Sequence, residues 1–309
     1  MYINKDQSPT KKCEEKEMYK VDNAVIMAAG TSSRFAPLSY EMPKALIKVK
    51  GECLIERQIK QLHEAGVNDI YVVCGYKAEQ FSYLEEKFGV VLVYNEHYLT
   101  KNNNASIYAV KDILKNTYIC SADNYFSENP FESEVDGSYY AAIYAEGETK
   151  EWCMDTNADG RITSVTIGGR NAWFMLGHTF WDENFSRRFK EILEAEYDLP
   201  KTAQLLWESI YIDHIDELDM KIRKYPSDVI FEFDTLDELR EFDTSYVKDT
   251  RSQILRNISV SLGCGEDEIT KVIAYKDKTN EAAGFRFECR GKEYEYCYKT
   301  KELRGKDNG

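Results

Sequence analysis

The stretch that most limits what this chain can become runs from residue 23 to 49, Asn-Ala-Val-Ile-Met-Ala-Ala-Gly-Thr-Ser-Ser-Arg-Phe-Ala-Pro-Leu-Ser-Tyr-Glu-Met-Pro-Lys-Ala-Leu-Ile-Lys-Val. Its apolar run, residues 24–29, reads as a buried strand that breaks at Gly30. Ala28, Ala29, Gly30, Thr31, Ser32 and Ser33 then make a small-residue stretch. Small side chains let a ligand come close to the backbone, whose N–H groups face anionic oxygens. Arg34 adds a planar fork for phosphate, and Lys44, just after Pro43, a mobile point charge. Strand, loop and two cations together describe a triphosphate cradle. No Gly-Lys-Ser/Thr follows the glycine, so this is not a P-loop, and one glycine is too few for the dinucleotide fingerprint. The competing reading is an ordinary strand-to-helix turn with surface cations.

Downstream, strand and helix patterns alternate: helix 54–65 closed by Gly66, strand 69–74, helix 77–87, strand 90–94, helix 105–115 and strand 118–122. This predicts an α/β chain with a Rossmann-like, mainly parallel sheet flanked by helices. Ligands of such sheets bind beyond the carboxyl ends of the strands. The cradle, Gly75, Asn95 and Asp123 each follow a predicted strand, so four polar sites converge on one edge. From 138 to 180 the texture becomes short β runs with turns at 157–160 and 168–169. With helices 185–195 and 202–212 this reads as an antiparallel insertion (about 138–212) that binds the second substrate. Strands 220–223 and 229–233 and helix 236–242 close a catalytic domain of residues 21–246. Residues 1–20 read as a flexible arm. Residues 247–309 read as a small α+β appendage: helix 252–262, then strands 272–275, 284–290 and 293–298, with Arg290-Gly291 as a hairpin turn.

A chain of 309 residues has room for one large domain plus an appendage. The net charge of −14 disfavours nucleic acid or an anionic membrane as partner. Local cations and a metal must therefore draw in any anionic substrate. The eight cysteines include no Cys-x-x-Cys pair and read as reduced structural thiols. The first 20 residues have no apolar stretch, and no run approaches membrane-spanning length, so a soluble, cytoplasmic protein is expected. His63, His97, His178 and His214 show no pairing with a nucleophile or metal-type spacing and read as structural.

Asp123 ends an apolar strand, and Asp234, in Phe-Glu-Phe-Asp-Thr, ends a later β run. Mg²⁺ prefers such hard oxygens, commonly one or two carboxylates plus substrate phosphate oxygens. A strand-end Asp is also a common helix cap, and Asp234 is placed for one. All four tryptophans lie in the expected insertion; Trp152 follows Glu151, Trp207 precedes Glu208 and Trp181 precedes Asp182. A quaternary ammonium calls for aromatic faces near negative charge. The plain alternative is a set of core aromatics.

Residues 28–34 and 43–46 resemble the signature Ala-Ala-Gly-x-Gly-x-Arg … Pro-Lys-x-Leu of nucleotidyltransferases that activate sugar phosphates and phospho-alcohols, with Ser32 in place of the second glycine. Over residues 22–245 the chain resembles the bacterial CTP:phosphocholine cytidylyltransferases. The stretches that carry this are Ile-Glu-Arg-Gln-Ile (55–59), Gly-Tyr-Lys-Ala-Glu-Gln-Phe (75–81), Tyr-Asn-Glu-His-Tyr (94–98), Asn-Asn-Asn-Ala-Ser (102–106), Ala-Asp-Asn-Tyr (122–125), Glu-Trp (151–152), Phe-Trp-Asp (180–182) and Phe-Asp-Thr (233–235). The resemblance implies Mg²⁺-dependent transfer of CMP from CTP to phosphocholine, giving CDP-choline and pyrophosphate. It implies Arg34, Lys44 and Asp123 as catalytic residues, Asp123 and Asp234 on the metal, and Gly75, Asn95 and Ser106 near the nucleoside. Glu151, Trp152, Trp181, Trp207 and Glu208 would form the acceptor pocket, with Trp152 and Trp207 as cage candidates. Leu206 departs from the aromatic residue expected before Trp207. Alternative acceptors are phosphoethanolamine, an aminophosphonate or a sugar 1-phosphate. A nucleotide-binding regulator without chemistry is the alternative from another class, and the joint presence of Arg34, Lys44, Asp123 and Asp234 argues against it. The tail, with Glu-Ile-x-Lys-Val (268–272), Lys-Thr-Asn (278–280) and Gly-Lys-x-Tyr (291–294), resembles the opening of the N-terminal lobe of choline and aminoglycoside-type kinases. It reads as a non-catalytic remnant or a module for protein contact or oligomerisation.

Overall fold

The computed structural model describes residues 17–278 and 282–305. Of the expected arm, residues 1–16 lie outside the described residues, as do Cys13 and residues 279–280 of the tail motif. Tyr19–Lys20 pairs antiparallel with Glu134–Val135, which ties that end of the arm to the body.

The apolar run forms strand β1 (Asn23–Ala28), with Ala24, Val25 and Ile26 fully buried. Burial on both faces is what a continuous apolar strand requires, and the apolar cores packed on the two faces of the sheet supply it. Helix α1 (Leu54–Glu64), β2 (Ile70–Cys74), β3 (Val91–Tyr94), α2 (Asn104–Ala109), β4 (Thr117–Ser121) and β5 (Asn124–Phe126) follow. Next come β6 (Tyr139–Thr156), β7 (Ile162–Trp181), α3 (Glu183–Glu196), α4 (Trp207–Asp213), β8 (Lys221–Lys224), β9 (Ile230–Glu232) and α5 (Leu236–Phe242). Seven strands make one mixed sheet in the order β8-β6-β7-β4-β1-β2-β3. β1 is parallel to β2 and β4, β2 to β3, and β6 to β8, while β7 runs antiparallel to β4 and β6. One apolar core lies on each face: Ile26, Ile59, Val72 and Cys120 belong to the first, Val25, Val73, Ile119 and Phe189 to the second. His178 belongs to the interior, where its ring shares a 2.7 Å hydrogen bond with the Tyr139 hydroxyl.

The structure departs from the expected insertion. Residues 138–180 are not a set of short runs but one long hairpin, β6 of 18 residues and β7 of 20, turning at 157–161. The roots of these strands are members of the central sheet. Gly168-Gly169 makes no turn; it lies opposite Thr149–Trp152 where the strand register slips, and Gly168 has φ +81°. A bulge uses a glycine of this conformation as readily as a turn does, so the local signal is ambiguous. Three predicted helices are shorter than expected, and 77–87 divides into a 3₁₀ turn (Ala78–Phe81) and a helix over Tyr83–Phe88. Residues 105–115 are helical only over Asn104–Ala109, and 202–212 divides into a 3₁₀ turn (Pro200–Gln204) and α4.

After α5, helix α6 (Gln253–Leu262) starts on the Ser252 side chain, which accepts from the Leu255 N–H, and ends at Gly263 with φ +60°. A four-stranded antiparallel sheet follows in sequential order: β10 (Ile269–Lys276), β11 (Ala282–Cys289), β12 (Lys292–Cys297) and β13 (Leu303–Gly305). A third core joins this unit to the body, combining Phe35, Leu38, Ile47 and Leu54 with Leu255, Ile258, Phe285 and Tyr298.

Candidate active site

The carboxyl ends of β1, β3 and β4 border a cavity of about 210 Å³. Its walls include Ala28, Ala29, Gly30 and Ser32 of the loop, Pro43 and Lys44, Asn95 and Ser106, and Asp123. A Cβ on Gly30 would meet no protein atom within 4 Å, so the room the glycine leaves is room for a ligand. Ser32 has φ +45°, the left-handed region that favours glycine, at the position where the signature carries one. Thr31 and Ser33 are not among the residues lining the cavity, and neither is Gly75. Gly75 acts from behind: a Cβ there would lie 2.7 Å from Tyr98, whose ring forms part of the wall.

Asn95 and Ser106 are both buried and joined by a 3.2 Å hydrogen bond from Asn95 Nδ2 to Ser106 Oγ. Asn95 Oδ1 accepts from the His97 N–H, which fixes the amide's orientation. The turn bearing Asp123 is pinned from α1, where Gln58 Nε2 donates to the carbonyls of Ser121 (2.9 Å) and Asn124 (2.8 Å). Lys44, 4% exposed, places Nζ 2.9 Å from Asp123 Oδ2 and 4.0 Å from Asp234 Oδ1. Arg34, 75% exposed, reaches Asp234 Oδ2 at 2.8 Å. Thus Arg34, Lys44, Asp123 and Asp234 meet at one point. Asp234 does not cap α5; Thr235 does, in a capping box with Glu238, and this leaves the Asp234 carboxylate to the two cations.

Sequence reasoning missed Glu232. Pairing of β9 with β5 sets Glu232 opposite Asn124 and hence beside Asp123. The Asp123 charge, then burial, push the Glu232 carboxyl up to about 8 against the opposing pull of Lys44. The only available signal was the alternation Glu-Phe-Asp, which puts Glu232 and Asp234 on one face of an extended segment. Asn102 and Asn103, which also line the cavity, were legible only as part of a quoted resemblance, and Lys101 beside them was missed.

The acceptor set divides. Neighbours on a strand point to opposite faces, and Glu151 and Trp152 do so. Glu151 borders a second cavity, of about 230 Å³, with Phe174, Leu176, Glu232, Asp234 and Glu238. Trp152 packs on the second core. Trp181 is a correction: it is fully buried against Phe185, Phe189 and Trp207 and presents no open face. Trp207, 1% exposed, backs the Tyr140 ring (5.8 Å between centroids, 17°) rather than walling a pocket itself. Glu208 accepts from Asn103 Nδ2 (3.1 Å) and from the Tyr140 hydroxyl (3.3 Å). Burial outweighs those hydrogen bonds and pushes its carboxyl up to about 7. Through Asn103 this carboxylate adjoins the cavity.

Fold and site together define a nucleotidyltransferase. Residues 24–128 match the MobA-like NTP transferase domain. The chain is 35% identical over 220 residues to the choline-phosphate cytidylyltransferase of Streptococcus pneumoniae, a match covering 71% of this chain and 96% of the relative. It is 40% identical over 234 residues to the 2-aminoethylphosphonate cytidylyltransferase of Lancefieldella rimae, covering 74% and 95%. The solved structure of CTP:phosphocholine cytidylyltransferase from Streptococcus pneumoniae (LicC) superimposes with a TM-score of 0.70 at 35% identity, covering 74% of this chain and 99% of that one. The chain belongs to the bacterial choline-phosphate cytidylyltransferase family.

Proposed function

We propose that this chain transfers CMP from CTP to phosphocholine, releasing pyrophosphate and giving CDP-choline. The observation that carries this reading is the meeting of Arg34, Lys44, Asp123 and Asp234 at the edge of a cavity floored by a small-residue loop. Relatives named for the same reaction support it.

An oxygen of the acceptor phosphate attacks the α-phosphorus of CTP in line. The new P–O bond forms as the bond from the α-phosphorus to the bridging oxygen breaks, and its electron pair leaves with pyrophosphate. The attacking group is already an anion, so no general base is needed. The protein's work is positioning and charge neutralisation. Exposed Arg34 turns from Asp234 to the β- and γ-phosphates. Lys44, held in place by burial, meets the α-phosphate or the incoming phosphate. Asn95 and Ser106 fix the nucleoside. Asp123 and Asp234 offer hard oxygens, and the raised Glu232 carboxyl beside them marks an excess of negative charge, so the site suits Mg²⁺. When bound, Mg²⁺ would supply Lewis-acid polarisation of the phosphoryl oxygens and neutralise the leaving group.

Glu208 supports a cationic acceptor. Among its hydrogen-bond partners, Asn103 and Tyr140, neither carries a positive charge, and an ammonium would restore its ionisation. A second reading, transfer to 2-aminoethylphosphonate, is favoured by the relative from Lancefieldella rimae and by the burial of Trp181 and Trp207, which leaves fewer open aromatic faces for a trimethylammonium. Pyrophosphate release across four NTPs and a panel of phosphocholine, phosphoethanolamine, 2-aminoethylphosphonate and a sugar 1-phosphate tests both. CTP with phosphocholine is expected to be fastest. Preference for 2-aminoethylphosphonate would establish the second reading, and preference for the sugar phosphate would overturn both.

A further inference from the structure

The loop that carries Arg34 does not rest on the nucleotidyltransferase sheet alone. Phe35, next to Arg34, and Phe233, next to Asp234, lie 2% and 4% exposed in the third core, among Leu255, Ile258, Ile269, Val272, Phe285, Phe287 and Tyr298. The partners of the 2.8 Å Arg34–Asp234 pair are therefore each one residue from a ring anchored in apolar material that the C-terminal unit completes. Residues 38–41, a single helical turn, are gripped from both sides. The Tyr40 ring stacks on Tyr298 of the C-terminal unit, with centroids 3.7 Å apart and planes 5° off parallel. Glu41 Oε1 accepts from the N–H groups of Gln253 (2.8 Å) and Ile254 (3.2 Å) at the start of α6. From the opposite side Lys77 Nζ, just past the end of β2, donates to the carbonyls of Tyr40 (2.5 Å) and Glu41 (3.0 Å). The segment after Lys44 is tied down as well: Tyr246 Oη and Arg251 Nη1 both donate to the Lys48 carbonyl, at 2.6 and 3.1 Å.

We propose that residues 251–305 are a positioning element for the triphosphate end of the site, with Tyr298 and Glu41 as its two joints to the loop. This rests on the CTP-dependent reading above. The unit supplies no group to the reacting atoms. It sets where residues 33–41 lie, and so where Arg34 can deliver its charge. Displacements of about 1 Å at a reacting centre are enough to cost on the order of 10²-fold in rate. The consequence is specific: disturbing a joint weakens use of the nucleotide and leaves the acceptor side unchanged, because Glu151, Trp152 and Glu208 touch neither Tyr298 nor Glu41.

The test compares Tyr298→Ala with Tyr298→Phe in the full chain. Tyr298→Ala is expected to raise KM for CTP by about fivefold to fiftyfold, with KM for phosphocholine within about twofold of wild type; Tyr298→Phe, which keeps the stacked ring, is expected to restore wild-type values. Hydrogen exchange of the peptide spanning residues 33–41 reads the same effect without any substrate, and faster exchange is expected in Tyr298→Ala only. This separates the proposal from the functional reading: a wild-type protein that transfers no CMP would refute the latter, while the exchange pattern would still decide the former. Should Tyr298→Ala lose its cooperative melting transition, Glu41→Ala replaces it, since it removes one acceptor at the start of α6. The same rise in KM for CTP and the same faster exchange are expected. A folded variant with unchanged KM for CTP and unchanged exchange would overturn the proposal, as would equal rises in both KM values.

Discussion

At the scale of residues, charge placement accounts for the site. Asp123→Asn keeps the side chain's shape but removes a charge beside Lys44, and turnover at saturating substrates is expected to fall by about 10² or more. Near-normal turnover at saturating Mg²⁺ would remove Asp123 from the reaction. Glu208 yields a pH prediction. Its carboxyl ordinarily titrates near 4.5 and is pushed by burial up to about 7 in the folded protein. The folded state thus holds this proton more tightly than the unfolded state, and the group costs no stability below about 4.5. The cost grows as pH rises toward 7 and is constant above that. Glu208→Gln, which resembles the protonated form, is expected to match wild type in thermal melting near pH 5 and to exceed it near pH 8. Parallel melting curves for the two proteins across that range would refute the assignment. The same variant is expected to raise KM for phosphocholine about tenfold at pH 8 while KM for CTP moves little.

At the scale of elements, what was legible in the sequence followed from burial. The strands β1, β2 and β4 are apolar runs because both of their faces are covered, and the residues just after β1 and β4 line the cavity for the same topological reason. Glu232 was not legible, since its nearness to Asp123 depends on β9 pairing with β5, a contact between segments distant in the chain. Trp181 and Trp207, both buried, were assigned to the pocket for a different reason. A Trp beside a carboxylate gives the same local signal in a core as in a pocket, and only strand alternation and the start of α4 decide which way each ring turns. Gln58, fully buried on α1, shows how an element serves the site without touching a substrate. Gln58→Leu leaves the Ser121 and Asn124 carbonyls without their donor. It is expected to cost about 1–3 kcal/mol in chemical denaturation and to lower turnover about tenfold. Unchanged turnover in a destabilised variant would show that the Asp123 turn holds its place without α1.

At the scale of the whole molecule, a strongly acidic protein handles two phosphorylated substrates by gathering a few cations at one sheet edge. Net charge is −14, yet Arg34 and Lys44 both reach Asp234, and Lys44 also Asp123, at the edge of the cavity. Under the proposed reading the same acidity serves the acceptor, since Glu151 borders the cavity beside Asp234 and Glu208 adjoins the main cavity through Asn103. On that proposed reading these groups serve transfer of CMP to a phosphate whose other end is a cation. The most direct test compares kcat/KM, with CTP at saturation, for phosphocholine and for its neutral isostere, the dimethylbutyl phosphate in which carbon replaces nitrogen. Both have the same size and the same attacking phosphate. Cation recognition worth about 1.5–3 kcal/mol predicts that the isostere is poorer by roughly 10- to 100-fold. Equal kcat/KM for the two would show that the site does not recognise the cation.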